Sequence, residues 1–414
     1  MQTILALVLF LVIGFIGSRG WVSRVRIGSP LSDLFITGIE FFFIGIILGP
    51  NLLNIISPGV LQELKPLVYL ALGWAGLLFG IQLSWVDLKR VSRAVFKMIA
   101  VDATLFIMAF TVIFSLLLAL FFPRLSFAET LYSGIIFAIT ASISSPTIIA
   151  VLARSIPSRG RFTSTIKVIA SLNPLVPLLV FGIFFIMTHP SFIGRLGFGG
   201  GALWWIFANA LGIILGFVMV LLTTQKCSED ERLLLIMGVV MLVGGVCFFL
   251  KLSSLYTAMM MGIVVANFSP RREHIFRQLL QLEKTIFIVF LVLVGAMISL
   301  RGPLLLVLLA CYIALRLLLK LFLSKRVLLA CFPDFSGTGR FSGMVLVGQG
   351  GMALALVLDY WMSGRGIFVD TLTATVVLAV VCNEIAGVFL TRVGLQASGE
   401  TVPDKTAKPG GREG

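Results

Sequence analysis

Apolar stretches of roughly 18 to 25 residues recur along nearly the whole chain, and no other feature narrows its choice of fold as far. Each is long enough to cross a hydrocarbon core of about 30 Å as an α-helix. Backbone in lipid has to satisfy its own N–H and C=O groups, so only helices and closed barrels span. The alternating pattern of barrel strands is absent here, which leaves the helix. Of the 414 residues, 59% are hydrophobic and 12% charged, against about 45–50% and about a quarter in soluble domains. No water-soluble core has room for that much apolar surface.

The pattern predicts an all-α membrane protein of about thirteen spans: 3–17, 31–49, 66–84, 96–122, 129–154, 161–188, 202–223, 231–249, 253–268, 284–300, 303–324, 338–361 and 369–393. Basic clusters follow span 1 (Arg19, Arg24, Arg26), span 3 (Lys89, Arg90, Arg93, Lys97), span 5 (Arg154, Arg159, Arg161), span 9 (Arg271, Arg272, Arg277) and span 11 (Lys325, Arg326, Arg340). The even-numbered loops carry few. The positive-inside rule then places the odd loops and the C-terminus in the cytoplasm and the N-terminus outside a cell membrane. The run from Thr3 to Gly17 has no basic region ahead of it and no small-residue cleavage site, so it reads as a retained span and not a signal peptide. The segment 395–414 is polar and rich in Gly, Pro and charge, and reads as a disordered cytoplasmic tail.

The net charge of +14 sits in short loops, which makes it a topology signal and not a nucleic-acid surface. Cys227, Cys247, Cys311, Cys331 and Cys382 show no paired spacing and read as small apolar residues. The two histidines, His189 and His274, fall near span ends, and no nucleophile, metal or phosphate-cradling motif stands out. Enzymatic chemistry and a cofactor are not expected; any metal would be a transient monovalent cation.

A faint internal repeat is present. Gly45 in IGIILGPN of span 2 pairs with Gly262 in MGIVVANF of span 9, and Gly80 in FGIQLS of span 3 with Gly295 in VGAMIS of span 10, at nearly equal offsets. Partners lie seven spans apart, an odd number, so the copies cross in opposite directions. This is the inverted-repeat plan of secondary transporters, divided here as six, one and six spans.

In such transporters the site lies where interrupted helices of the two halves meet. Span 5 contains Ser144-Ser145-Pro146-Thr147 and span 12 contains Gly348-Gln349-Gly350-Gly351, again seven apart. Proline lacks the helical N–H, and glycine makes a helix easy to unwind. Freed backbone groups would meet there beside Ser144, Ser145, Thr147 and Gln349. Ionisable groups within spans are expensive and are functional candidates by default. These are Arg316 in span 11, with Lys320 a turn further on and able to snorkel, Glu384 after Asn383 in span 13, and Glu40 and Asp102 in the first half. Asp87, Glu129, Asp359, Asp370 and Lys167 read as interfacial. Asn173 is polar in mid-span 6, and Pro174 is expected to break the helix beside it.

Taken together, Gly45-Ile-Ile-Leu-Gly-Pro50, Phe79-Gly-Ile-Gln-Leu-Ser84 with Asp87-Leu-Lys89, the Ser-Ser-Pro-Thr break, Arg316 with Lys320 and the glycine-rich break of span 12 resemble the monovalent cation:proton antiporter superfamily over residues 30–394. The resemblance implies a homodimer whose core domain (spans 4–6 and 11–13) moves against a dimerisation domain (spans 1–3 and 8–10), with span 7 as linker. It further implies exchange of Na+ or K+ for protons at a mid-membrane carboxylate, the second member of an acidic pair in span 6. Here that pair is Asn173-Pro174, without the acid. Asn383-Glu384 lies opposite it in the repeat, so Glu384 is expected as the relocated acid or as the salt-bridge partner of an otherwise unpaired Arg316. Two other readings stand beside this one: an anion transporter using Arg316 and the half-helix N-termini, and a non-transporting membrane subunit.

Overall fold

The computed structural model describes residues 12–13, 39–50, 52–155, 160–187, 198–225, 228–298, 303–335, 337, 341–363 and 369–400, and no strand occurs among them. In chain order the main helices are α1 (Ile39–Leu48), α2 (Lys65–Gly80), α3 (Arg93–Phe121), α4 (Phe127–Ser142), α5 (Pro146–Ser155), α6 (Arg161–Leu172), α7 (Leu175–Met187), α8 (Phe198–Thr224) and α9 (Glu229–Leu250). They continue with α10 (Ser254–Phe268), α11 (Arg272–Met297), α12 (Pro303–Leu319), α13 (Lys325–Cys331), α14 (Ser342–Val345), α15 (Gly350–Ser363) and α16 (Val369–Ala397). Among the described residues seven helical segments, of 22 to 29 residues, are long and apolar enough to cross a membrane, including Arg93–Phe121, Arg161–Phe185 and Val369–Ala397. The described parts of predicted spans 2 to 13 lie mainly on helices, with breaks inside spans 5 and 12. Span 1 lies outside the described residues but for residues 12 and 13.

Local chemistry sets where these helices start. Ser92 caps α3 and Ser253 caps α10 by accepting a backbone N–H of the first turn. Ser126 with Glu129 and Ser228 with Glu231 form capping boxes at the heads of α4 and α9. In α3 the inward face is aromatic: Phe106, Phe110 and Phe114, four residues apart, stack at 5.9 and 5.2 Å between ring centres. The opposite face exposes Leu105, Met108, Val112, Leu116 and Leu120, as a lipid-facing surface allows.

The two halves meet in glycine contacts that carry the repeat. α1 packs on α11 and α2 on α10. A Cβ on Gly45 would lie 2.9 Å from the Cα of Gly295, and one on Gly80 2.9 Å from the Cα of Gly262, closer than any side chain permits. Since the repeat relates Gly45 to Gly262 and Gly80 to Gly295, exchanging the halves turns one crossing into the other. The glycines matched in the sequence repeat thus pack against one another: four small residues let two helix pairs touch backbone to backbone.

Span 5 is broken between α4 and α5, where Ile143 is extended and Pro146 opens the next helix. Span 12 is broken between α14 and α15, and Gly350 takes φ 77°, the left-handed region that favours glycine.

Pro174 interrupts the helix as expected, α6 ending at Leu172 and α7 starting at Leu175, yet Arg161–Phe185 still continues as one 25-residue span, with Asn173 N bonded to Ile169 O at 2.8 Å and Leu178 N to Pro174 O at 3.0 Å on either side. Several other expectations are corrected. Span 11 runs on to Cys331 through a π turn at Lys320–Ser324. Lys320 does not snorkel but is wholly buried. Asp359 is not interfacial but buried, and Ser253 Oγ donates to it. The tail does not begin at 395, since α16 continues to Ala397 and Glu400 makes tertiary hydrogen bonds; residues 401–414 lie outside the described ones.

Candidate functional site

A helix that stops in mid-membrane leaves carbonyls without partners at its end and N–H groups without partners at the next start. Both breaks do this, and they cross: Ser145 N donates to Gly348 O at 2.8 Å and Ser144 Oγ to Leu346 O at 2.9 Å.

The orphaned carbonyls are taken by cations from span 11. Arg316 donates from Nε to Ala141 O and from Nη2 to Ile143 O, each at 2.9 Å, from Nη2 to Gly348 O at 3.4 Å, and from Nη1 to Val347 O. Lys320, one turn on, donates to Ser142 O at 2.8 Å, lies 3.7 Å from Asp102 Oδ2 and sits 4.8 Å over the Phe106 ring. The expectation that Arg316 would be unpaired without an acid is thus overturned. A buried guanidinium is tolerable when its N–H groups are satisfied, and the breaks supply four carbonyls. Among the described residues it forms no ion pair with Glu384.

The orphaned N–H groups are taken by side chains of spans 6 and 13. Asn173 Oδ1 accepts from Ser144 N at 2.7 Å, at the head of the 146–155 half-helix. Glu384 Oε1 accepts from Gln349 N at 3.0 Å and Gly350 N at 2.5 Å, at the head of α15. Repeat-related spans therefore perform the same task on opposite breaks, one with a neutral amide and one with a carboxylate.

A third layer ties these together. Gln349 Nε2 donates to Thr140 O at 2.9 Å and to Tyr312 OH at 2.8 Å, while Asn383 Nδ2 donates to Gln349 Oε1 at 2.9 Å. Tyr312 OH also meets Thr140 Oγ1 at 3.3 Å. Asn383 Oδ1 and Asp102 Oδ1 are buried without a hydrogen-bond partner among the described residues.

The structure thus unites Ser144, Ser145, Asn173, Arg316, Gln349, Asn383 and Glu384 at one crossing, with Asp102 joined through Lys320. Thr147 is exposed and takes no part. Pro174 is buried beside Asn173 but brings no polar side chain. Sequence reasoning missed Tyr312 and Thr140. A signal for the first was present, since Tyr312, Arg316, Lys320 and Ser324 follow one another at four-residue spacing, a polar stripe on one helix face.

The sequence matches the family model of the sodium/hydrogen exchanger transmembrane region over residues 11–396. Among curated proteins no match is found. Among solved structures the chain is similar to the sodium proton antiporter MjNhaP1 from Methanocaldococcus jannaschii at pH 8, with a TM-score of 0.66 and 14% identity over 96% of this chain and 99% of that one. A 3D EM structure of MjNhaP1 gives 0.59 and 18% over 98% and 100%. At these identities the likeness is one of fold. With that fold, its two crossed breaks and a family match from residue 11 to 396, the chain belongs to the sodium/hydrogen exchanger family of membrane transporters.

Proposed function

We propose that this protein exchanges a monovalent cation, Na+ or K+, for protons by alternating access, and that Glu384 is the carboxylate for which the two compete. The observation that carries the reading is the setting of Glu384. It is a buried carboxylate at the crossing whose Oε1 is committed to the Gln349 and Gly350 amides, while Oε2 takes part in no hydrogen bond among the described residues. Beside it in sequence, Asn383 offers a buried, unpartnered Oδ1, a second oxygen of the kind a hard cation takes. A proton and a cation each neutralise the same buried charge, so they exclude one another.

The division into domains has support of the same kind. Every residue of the crossing, from Asp102 to Glu384, lies in spans 4–6 or 11–13, whereas the glycine contacts lie in spans 2, 3, 9 and 10. We assign the first group to the moving core and the second to a scaffold that forms a homodimer, with α8 as linker. The basic loops favour an N-terminus outside and a C-terminus in the cytoplasm. The anion reading loses its support, because the Arg316 N–H groups are engaged by carbonyls.

Proton flux in proteoliposomes of the purified protein tests the proposal, with Na+, K+ or Li+ applied from mildly acidic to mildly alkaline pH. Cation-driven flux that is lost in Glu384→Gln is the expected result. Flux that survives the substitution would move the acid elsewhere, and folded protein without any cation response would favour a non-transporting subunit.

A further inference from the structure

The first turn of α6 is capped from 238 residues away. Glu400 Oε1 accepts from Phe162 N and Oε2 from Thr163 N, both at 2.8 Å. Helices α3, α4, α9 and α10 carry their own cap serine, but the capping position before α6 is Gly160, which has no side chain to cap with. The segment that follows α16 is shaped to supply one. Gly399, at φ 73°, turns the backbone after α16, and Ser398 Oγ holds Leu395 O at 2.6 Å and accepts the Glu400 N–H at 3.3 Å. The fit is close, since a Cβ at position 160 would overlap the Glu400 carboxylate.

We propose that Glu400 is a positioning residue for the cation site, a clasp that joins the start of α6 to the end of α16. These two helices carry the side chains that cap the broken spans. α6 runs from the clasp to Asn173 on Ser144 N, and α16 carries Glu384 on the amides of Gln349 and Gly350. A carboxylate on two first-turn amides is a charge-assisted contact reinforced by the helix dipole, so it fixes the ends of the two helices relative to each other. Both helices fall within the group assigned above to the core. The clasp therefore leaves motion between core and scaffold free, and its loss acts on cation affinity and not on turnover.

The inference rests on the exchange reading, and its test separates the two. Glu400→Ala, Gly160→Ala, their combination and Glu400→Gln are compared by two readouts: amide hydrogen exchange at residues 161–164, which requires no transport, and the cation dependence of proton flux in proteoliposomes. Gly160→Ala displaces the carboxylate without altering it. Either alanine variant is expected to speed amide exchange by about tenfold, the scale of a lost cap, and to raise the apparent KM for the cation several-fold while the maximal rate holds. The double variant matches the singles because both remove one contact, and Glu400→Gln, which keeps an acceptor, is intermediate. Unchanged amide exchange in both alanine variants overturns the clasp, and faster exchange with an unaltered KM overturns its positioning role. A wild type with no cation response overturns the exchange reading and the positioning role with it, while amide exchange still reports whether the clasp forms.

Discussion

At the centre of the crossing Arg316 and Lys320 hold five main-chain carbonyls, four of them bonded to Arg316, and this explains why Arg316 needs no acid beside it. Arg316→Ala strands four of the five in a dry interior, and each buried acceptor left unsatisfied costs about 1–3 kcal/mol. A fall in apparent Tm of the detergent-solubilised protein, partly restored by Arg316→Lys, is the expected outcome. The neighbouring pair behaves differently. Asp102 lies 3.7 Å from Lys320 with one oxygen unsatisfied, so Asp102→Asn and Lys320→Met together should cost less than their sum, with a coupling of about 1–3 kcal/mol in a double-mutant thermal cycle. Additive effects would mean that the two charges do not sense each other. The depth of Arg316 was legible in the sequence because charge within an apolar run is conspicuous. Its partners were not, because every residue has a carbonyl and only a three-dimensional break frees one.

Among the elements, the breaks themselves were legible, but for a partly mistaken reason. Pro146 occupies the first position of α5, where a missing N–H costs nothing, and the break is held by Ser144 N on Asn173 and Ser145 N on Gly348. Pro146→Ala should accordingly be mild, within about 1 kcal/mol. Gly350→Ala should not be: the position has a positive φ, and an added Cβ would lie 2.8 Å from Ser145 Oγ, for a cost of about 1–3 kcal/mol and loss of flux. Similar damage from both substitutions in parallel melting curves would show that the proline does hold the break. Pro174 carries the complementary lesson. A proline in a sequence marks a lost hydrogen bond, but whether the helix bends there depends on the packing around it, which no local pattern records.

Across the whole molecule, the repeat makes a prediction about equivalence. A leucine at Gly45 or at Gly80 meets the same backbone crossing in two orientations, so the two should destabilise alike, by about 1–3 kcal/mol or more. Gly238 and Gly245, with nothing within 4 Å of an added Cβ, should accept alanine with a gain of about 0.5–1 kcal/mol, measured in the same melting assay. Unequal damage at Gly45 and Gly80 would argue that the halves do not share one packing plan. Fold class and repeat were readable from spacing alone, because hydrophobic length and small residues are one-dimensional signals of membrane packing. The long-range contact of Glu400 was not, since it depends on where two distant ends arrive. The guanidinium of Arg316 has a further consequence. It is bonded at once to carbonyls of both broken spans, so it fastens them like a rivet through two plates. Under the alternating access proposed above, these plates travel as one piece, and a pair of spectroscopic labels, one on each, would serve as an internal ruler of constant length while distances to the glycine-crossed helices change.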